Sequence, residues 1–323
     1  MNRDDVTWAG YWAAVPTPFH ADGSLAPELL TRLVEWYVGQ GVHGLVVNGT
    51  TGEWFSQTAD ERKQVAEVAL AAVAGRVPVV VACTSYTAEQ VVDFARHAIA
   101  VGAAGFASTP PPYAKPFEDE IVAFYEDISA GIDAPLMIYN WPHGTSVEIG
   151  TELARRLVEI PTAVALKDST PNADQFFATS RAVNDRVRVF GPYMSTYGYA
   201  QLREHGGDGS VGGGSLYGAP DPAFWDAHWG GDHEAALVHA RRTEELFPKF
   251  WLPGGWAGQH GHYASELKAI MDVLGQPGGT VRRPRLPVTD PAKLAEIRRI
   301  VMEEPLLKAQ AEAAGGAATG AEA

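Results

Sequence analysis

The segment GLVVNGTTGEWFSQTADERKQVAEVALAAVAGRVPVVVA, residues 44–82, contains one strand–helix–strand unit. Two short apolar runs, 44–48 and 77–82, have the β-branched composition of strands that are covered on both faces. Between them, apolar residues recur at intervals of three and four, as on the buried face of a helix: Val65, Val68, Ala69, Ala72 and Val73. Thr58 and Glu61 have the spacing of a capping box, which marks the start of this helix.

The same alternation continues along most of the chain. Apolar runs predict eight strands, at residues 12–15, 44–48, 77–82, 105–108, 135–139, 162–166, 187–190 and 209–211. A closed parallel barrel needs eight such strands with a helix after each one. An open doubly wound sheet would need a glycine-rich phosphate turn after an early strand, and residues 16–23 contain none. The pattern therefore predicts an α/β fold, a (β/α)8 TIM barrel with a helical C-terminal extension.

The pattern of the chain changes after the eighth predicted strand. Helical segments follow one another without strands, at 222–229, 232–247, 263–274 and 291–302. We therefore expect a barrel over residues 1–220 and, in the same structural unit, helices packed on it over 221–308. Residues 309–323 are mostly alanine, glycine and glutamate, a composition with little to bury, and we expect them to be a disordered tail.

The overall charge argues against nucleic acid and membranes as partners. The chain has 25 Lys and Arg against 39 Asp and Glu, a formal net charge of −14, which repels polyanions and anionic lipid surfaces. Its single cysteine, Cys83, excludes an internal disulfide and suits a reducing compartment. The N-terminal residues contain no apolar stretch of the kind found in signal peptides. We therefore expect a soluble, cytoplasmic protein.

The active site of a (β/α)8 barrel lies at the carboxyl ends of the strands, so the residue that ends each apolar run is a candidate for chemistry. Lys167 ends the sixth run, where little water would surround its side chain. Poor hydration disfavours a charged ammonium, and a neutral amine is the form that attacks a carbonyl. The alternative is an ordinary, exposed lysine at a strand end. We expect Lys63 and Lys268, which lie on polar helix faces, to be ordinary surface lysines.

Three other strand ends carry candidate polar residues. Tyr139 ends the fifth run, where its phenol could exchange protons beside Lys167, or could simply pack at the barrel rim. Thr50 and Thr51 follow the second run in the turn GTTGE, which could hold a carboxylate or could be a plain structural turn. Tyr113 follows the proline run after the fourth strand, in a rigid loop that could equally be a surface or interface loop.

These motifs together resemble the dihydrodipicolinate synthase / N-acetylneuraminate lyase family of class I aldolases. The matching pieces are GTTGE at 49–53, the proline-tyrosine loop, YN-x-P at 139–142 and LKDS at 166–169. The resemblance covers roughly residues 10 to 300 and implies a homotetramer, built as a dimer of dimers.

The resemblance also implies roles for individual residues. Lys167 would form the Schiff base with a 2-oxo acid such as pyruvate, and Tyr139 would relay protons. Thr50 would link Tyr139 to Tyr113, which in many relatives reaches across from a neighbouring subunit. The carboxylate would lie against Thr51 and the adjacent backbone N–H groups. Residues expected to line the rest of the pocket are Gly49, Gly209, Ser210, Val211, His143 and Trp141.

The chain departs from the family at the position that receives the second substrate. Dihydrodipicolinate synthases usually carry an arginine two residues after the proline of YN-x-P, and Gly144, preceded by His143, stands there instead. This argues against aspartate semialdehyde. The segment GEWFSQT at 52–58 resembles that of keto-deoxy sugar acid dehydratases, whereas YNWP does not. The glycines at 212–214 either leave room for a bulky substrate or only make a tight turn.

Three functions remain open at this point. The first is a lyase that makes or breaks a carbon–carbon bond between a 2-oxo acid and an aldehyde. The second is a Schiff-base dehydratase of a 2-keto-3-deoxy sugar acid, and the third is a non-catalytic ligand-binding barrel, which the retained Lys167, Tyr139 and Thr50 disfavour. No metal or other cofactor is expected, because His260 and His262 have no clear third ligand near them in the sequence. We expect Cys83 to be a small, buried, apolar side chain.

Overall fold

The computed structural model describes residues 1–212 and 220–320. Eight short strands begin and end close to the predicted positions: Gly10–Ala14 (β1), Gly44–Val47 (β2), Val79–Ala82 (β3), Gly105–Ser108 (β4), Leu136–Asn140 (β5), Ala163–Asp168 (β6), Arg188–Phe190 (β7) and Gly209–Gly212 (β8). Each strand pairs in parallel with the next, and β8 pairs with β1, so that the sheet closes into a barrel. The predicted TIM barrel is confirmed.

Helices cover the outside of the barrel and follow the strands in alternation. They are Pro27–Gly39 (α1), Ala59–Val73 (α2), Ala88–Ala100 (α3), Glu118–Gly131 (α4), Pro142–Thr145 (α5), Thr151–Leu157 (α6), Ala173–Val183 (α7) and Thr196–His205 (α8). The capping box at the start of α2 is formed: Glu61 N donates to Thr58 Oγ1 at 3.2 Å, and Thr58 N donates to Glu61 Oε2 at 2.9 Å. The cap satisfies backbone donors that the first helical turn leaves unpaired.

Aromatic side chains fill the inside of the barrel at its amino-terminal end. Trp12 contacts Trp8 and Phe190 edge to face, with ring centroids 5.6 and 5.4 Å apart. Gly44 on the neighbouring strand leaves room for the Trp12 indole, because a Cβ there would lie 2.3 Å from Trp12 Cε2. Together with inward valines and alanines these rings form one buried cluster, and the outward strand residues pack against the helices in a second. This packing closes the barrel below and leaves its other end for the site.

A helical extension follows the barrel, as predicted. It consists of Pro220–Trp229 (α9), His233–Phe250 (α10), Tyr263–Val273 (α11), Pro291–Glu303 (α12) and Pro305–Gly320 (α13). The stretch from residue 309, for which the sequence predicts no stable structure, continues α13 as far as Gly320. Leu307 at the start of α13 is buried and Ala311 packs against the core, which accounts for the longer helix.

Two observations complete the description. No helix within residues 1–212 and 220–320 is long and apolar enough to cross a membrane. Of the glycine run at 212–214, only Gly212 belongs to the described residues, where it ends β8. A side chain at Gly212 would collide with the Tyr11 hydroxyl, so glycine there is required by close packing between β8 and β1.

Candidate active site

A large cavity opens at the carboxyl ends of the strands, with a volume of about 1260 Å³. Most of the residues predicted from strand ends line it: Lys167, Tyr139, Thr50, Thr51, Tyr113, Ser210, Val211, His143 and Trp141. Residues far apart in sequence therefore meet at one end of the barrel. This is the arrangement that parallel strands produce, because all their carboxyl ends point the same way.

Tyr139 and Lys167 lie side by side at the base of the cavity. The strands β5 and β6 pair so that these two residues are direct partners in the register. Lys167 Nζ lies 3.5 Å from the centroid of the Tyr139 ring and donates a hydrogen bond to Ser169 Oγ at 2.9 Å. The amine is thus held in one place by a ring face and a hydroxyl, both half-buried.

The carboxyl group next to the lysine is held in the buried part of the cavity lining. Asp168 Oδ1 accepts hydrogen bonds from Asn140 Nδ2 and from Thr170 N, each at 2.8 Å. Burial raises the pKa of Asp168 to about 6, and the nearby charge of Glu148 adds to this rise. The network joins the YN-x-P strand to the lysine strand and fixes their ends relative to each other.

The GTTGE turn projects two threonines into the cavity from β2. Asn48 and Glu53, at the two ends of the turn, have left-handed backbone angles, with φ of 58° and 54°. Gly52 lies so close to backbone atoms of Asn48 and Val15 that a Cβ would be only 3.1–3.2 Å from them. Thr51, which is buried, shares a hydrogen bond with the phenol of Tyr263. The turn is therefore built to hold its threonines at a fixed place.

A buried ion pair supports this turn from behind. Lys268 Nζ donates to Glu53 Oε1 at 2.6 Å and to the carbonyl oxygens of Thr17 and Thr280, both at 2.7 Å. Glu53 is 0% and Lys268 4% exposed. The expectation that Lys268 is an ordinary surface lysine is wrong, because α11 turns that side chain towards the barrel rather than towards solvent.

Aromatic rings cover the side of the cavity above Tyr139. The Trp141 indole stacks on Tyr139 with centroids 6.2 Å apart and an angle of 26°, and His143 stacks on Trp256 at 6.1 Å. The indole occupies the space beside Gly144, where a Cβ would lie 2.1 Å from Trp141 Cδ1. The position at which dihydrodipicolinate synthases usually carry arginine therefore has no room for a side chain here.

Tyr113 lies at the edge of the cavity and extends away from the chain. Its side chain is 92% exposed, and its φ of 74° is a left-handed angle that non-glycine residues rarely adopt. A large aromatic ring that is held by a strained backbone and left almost fully exposed is typical of an interface.

Two of the residues predicted to bind substrate do not line the cavity. Gly209 pairs with Gly10 and Phe190 inside the sheet, and its Cα faces the Phe190 ring. Gly49 lies at the start of the turn, whose next two residues reach the cavity instead. Cys83 is fully buried away from the cavity lining, and burial raises the pKa of its thiol to about 12, as expected of a structural cysteine.

The C-terminal extension contributes cavity residues that the strand-end rule does not identify: Trp251, Trp256, Tyr263, His262 and Arg285. Burial lowers the pKa of His262 to about 4, with the charge of Arg285 as a second cause. Within the described ranges no group of three or more His, Cys, Asp or Glu side chains is placed to hold a metal ion. Asp221 at the start of α9 also lines the cavity, and burial raises its pKa to about 7.

Comparison with known proteins identifies relatives over almost the whole chain. The sequence profile described as the dihydrodipicolinate synthetase family matches residues 7–303. An uncharacterized DapA-like lyase of Rhizobium meliloti is 30% identical over 302 residues, which cover 91% of this chain and 97% of that protein. The 4-hydroxy-tetrahydrodipicolinate synthase of Nitrobacter hamburgensis is 31% identical over 288 residues, covering 87% and 92% of the two chains.

The fold is likewise similar to a solved structure. Dihydrodipicolinate synthase from Acinetobacter baumannii, solved in complex with pyruvate, superposes with a TM-score of 0.81 at 23% identity. The match covers 91% of this chain and 98% of that one.

Proposed function

The chain belongs to the dihydrodipicolinate synthetase family, whose members are lyases, and from that membership we propose that Lys167 forms a Schiff base with a 2-oxo acid such as pyruvate. One observation carries the proposal. The amine of Lys167 lies at the base of a deep cavity, 3.5 Å from the centroid of the Tyr139 ring, on the adjacent strand.

The proposed chemistry begins with attack of the neutral Lys167 amine on the C2 carbonyl of the 2-oxo acid. The carbinolamine loses water to give an imine, and its protonated form draws electrons from the neighbouring carbon. Loss of a proton from C3 gives an enamine, which attacks an aldehyde carbon; the reverse path breaks the C3–C4 bond. Water then releases the product and restores the amine.

The neighbouring residues receive the following roles in this proposal. Tyr139 transfers protons as the carbinolamine forms and collapses. Thr51 and the adjacent backbone N–H groups bind the carboxylate, while Thr50 connects Tyr139 to Tyr113. Support for the roles of Tyr139, Thr50 and Thr51 comes from their side chains, which line one cavity together with Lys167.

The second substrate is proposed to be larger than aspartate semialdehyde or to differ from it chemically. Residue 144 is glycine, and Trp141 fills the space beside it, so this position supplies no arginine to bind a carboxylate. The cavity of about 1260 Å³ exceeds the ~300–1,000 Å³ typical of small-molecule sites. This volume suits an extended partner aldehyde, and it equally suits a 2-keto-3-deoxy sugar acid that loses water from the same imine.

The proposed assembly is a homotetramer, a dimer of dimers, acting in the cytoplasm. The exposed Tyr113 ring supports the assembly, since a neighbouring subunit would cover it and would receive it near its own cavity. The negative net charge agrees with a cytoplasmic enzyme that does not bind nucleic acid or membranes.

The test follows the proton at C3 of pyruvate in heavy water. Wild-type protein should exchange the methyl protons of pyruvate for deuterium, which NMR detects directly. Lys167→Arg keeps the charge but should abolish exchange. Exchange by that variant at the wild-type rate would contradict the enamine mechanism. Product analysis with a panel of aldehydes and keto-deoxy sugar acids would then separate aldol chemistry from dehydration.

A further inference from the structure

One arginine of the C-terminal extension lies in the cavity wall and forms no ion pair with the part of the chain that the structure describes. The segment that follows α11 returns to the mouth of the barrel and carries Arg282 and Arg285, three residues apart. The surroundings of the two guanidinium groups differ: Arg282 is bound within the protein, whereas Arg285 is available to a ligand.

Arg282 is fully engaged within the protein. Its guanidinium forms two hydrogen bonds to the Glu61 carboxylate, both at 2.7 Å, and further bonds to the carbonyl oxygens of Ser56 and Gly23. This paired geometry lowers the pKa of Glu61 to about 2. Arg282 therefore fastens the extension to α2 and to the first loop, and these contacts use four of its five N–H donors.

Arg285 has no such partner in residues 1–212 and 220–320. Its guanidinium forms no ion pair there, and its Nε, although shielded from solvent, has no hydrogen-bond acceptor. The group rests on the face of Phe55, 5.2 Å from the ring centroid, and lines the cavity. The acidic side chain that acts electrostatically on Arg285 is Glu53, and its Oε1 is already paired with Lys268 Nζ at 2.6 Å.

His262 lies at the same side of the cavity and adds a neutral donor. Burial, with the charge of Arg285 as the second cause, lowers the pKa of His262 to about 4, so the imidazole is uncharged at neutral pH. Its Nδ1 is buried without a hydrogen-bond partner in the described chain. The acidic side chains that line the cavity are bonded to other groups: Asp168 to Asn140, and Glu244 to the hydroxyl of Thr196 at 2.8 Å. Asp221, whose pKa burial raises to about 7, shares a hydrogen bond with Tyr11.

We propose that Arg285, with His262 beside it, binds an anionic oxygen group at the far end of the substrate. The reacting molecule is then a dianion: its 2-oxo acid end lies at Lys167, and its second carboxylate or phosphate lies at Arg285. This inference rests on the proposed imine at Lys167 and names the class of substrate that it accepts. It gives the site a cation for such a group at a place other than position 144, which is glycine.

The test compares acids that differ only in the charge at the far end. Wild-type protein is incubated with cyanoborohydride and 2-oxoglutarate, 2-oxoadipate or 2-oxopimelate, and each is matched by its neutral ω-amide. Intact-protein mass spectrometry gives the concentration that half-saturates the imine. A charged hydrogen bond to arginine corresponds to a preference for the acid of about 10- to 100-fold at the chain length that spans the two ends.

Variants assign that preference to one side chain. Arg285→Met keeps the contact with Phe55 but removes the charge, and should lose the preference; Arg285→Lys should keep part of it. Arg283→Met, at an exposed neighbouring position, is the matched control and should behave as wild type. The pyruvate concentration that half-saturates the imine should be the same in wild type and in the three variants. A phosphonate-ended acid of the preferred length separates a phosphate subsite from a carboxylate subsite.

Three results would overturn the inference: no preference for the acids in wild type, an unchanged preference in Arg285→Met, or dissociation of the assembly by that variant in light scattering. The last would place Arg285 in a subunit contact. Failure of wild type to trap pyruvate is a different result, because it would contradict the Schiff base itself and remove the subsite together with it.

Discussion

Replacing Lys268 by methionine should destabilise the protein and disturb the active site, although Lys268 touches no substrate in this account. The change leaves the Glu53 carboxylate buried at 0% exposure without its cation. It also removes the donor to the carbonyl oxygens of Thr17 and Thr280, which joins the first loop to the C-terminal extension. Methionine fills most of the space, so the loss is electrostatic rather than a cavity.

The magnitude follows from this burial. Removing one partner of a buried ion pair costs about 3–5 kcal/mol, since the other charge stays uncompensated. Unfolding entropy of about 2.1 cal/mol/K per residue amounts to ~0.7 kcal/mol/K for 323 residues. A loss of about 4 kcal/mol therefore lowers the Tm by roughly 6 °C. We also expect a lower kcat/KM, because Glu53 ends the turn that holds Thr50 and Thr51.

The assay is thermal unfolding followed by calorimetry at equal protein concentration. Lys63→Met is the matched control, because Lys63 pairs with Asp93 at 2.9 Å on the surface and should cost less than about 1 kcal/mol. The double variant Glu53→Gln/Lys268→Met should recover much of the loss, since it leaves no buried charge. Equal Tm values for Lys268→Met and Lys63→Met would refute the reasoning.

Three other variants test separate parts of the account. Tyr139→Phe should slow deuterium exchange into pyruvate by about 10²–10⁴-fold while leaving pyruvate binding within a few fold, and an unchanged rate would remove the relay role. Gly144→Arg should lower stability by about 1–3 kcal/mol in thermal unfolding, because its Cβ meets the Trp141 indole, and Trp141→Ala should relieve that loss in the double variant. Burial raises the pKa of Asp221 to about 7, so the folded protein holds a proton that the unfolded chain releases near pH ~4. Stability should therefore fall as pH rises through that interval, and Asp221→Asn should flatten the fall in denaturation curves; an identical pH profile would contradict it.

The barrel could be predicted because its signals are local and repeat along the chain. Each apolar run is bounded by turns, and the capping box of α2 is visible in the sequence as it is in the structure. The meeting of strand-end side chains in one cavity was predictable for the same reason, since parallel strands bring their carboxyl ends together. Lys167 and Tyr139 could be identified as cavity residues from the positions of β5 and β6 alone.

The cavity residues of the C-terminal extension could not be predicted in this way, because helical periodicity does not show which face of a helix turns towards a cavity. Lys268 looks like any lysine on an amphipathic helix until the position of Glu53 is known. Arg285 follows a loop whose path back to the barrel mouth depends on Arg282 and its pairing with Glu61. Contacts between residues far apart in the sequence produce no periodic pattern from which they could be predicted.

Reductive trapping detects the proposed covalent imine at Lys167 itself. Wild type and Lys167→Ala are treated with pyruvate and borohydride, digested and mapped by mass spectrometry. The account predicts one reduced pyruvate on the peptide that contains Lys167, and no adduct at any lysine of the variant, whose Tm should stay close to that of wild type. An adduct on another lysine, or equal labelling of the variant, would contradict it.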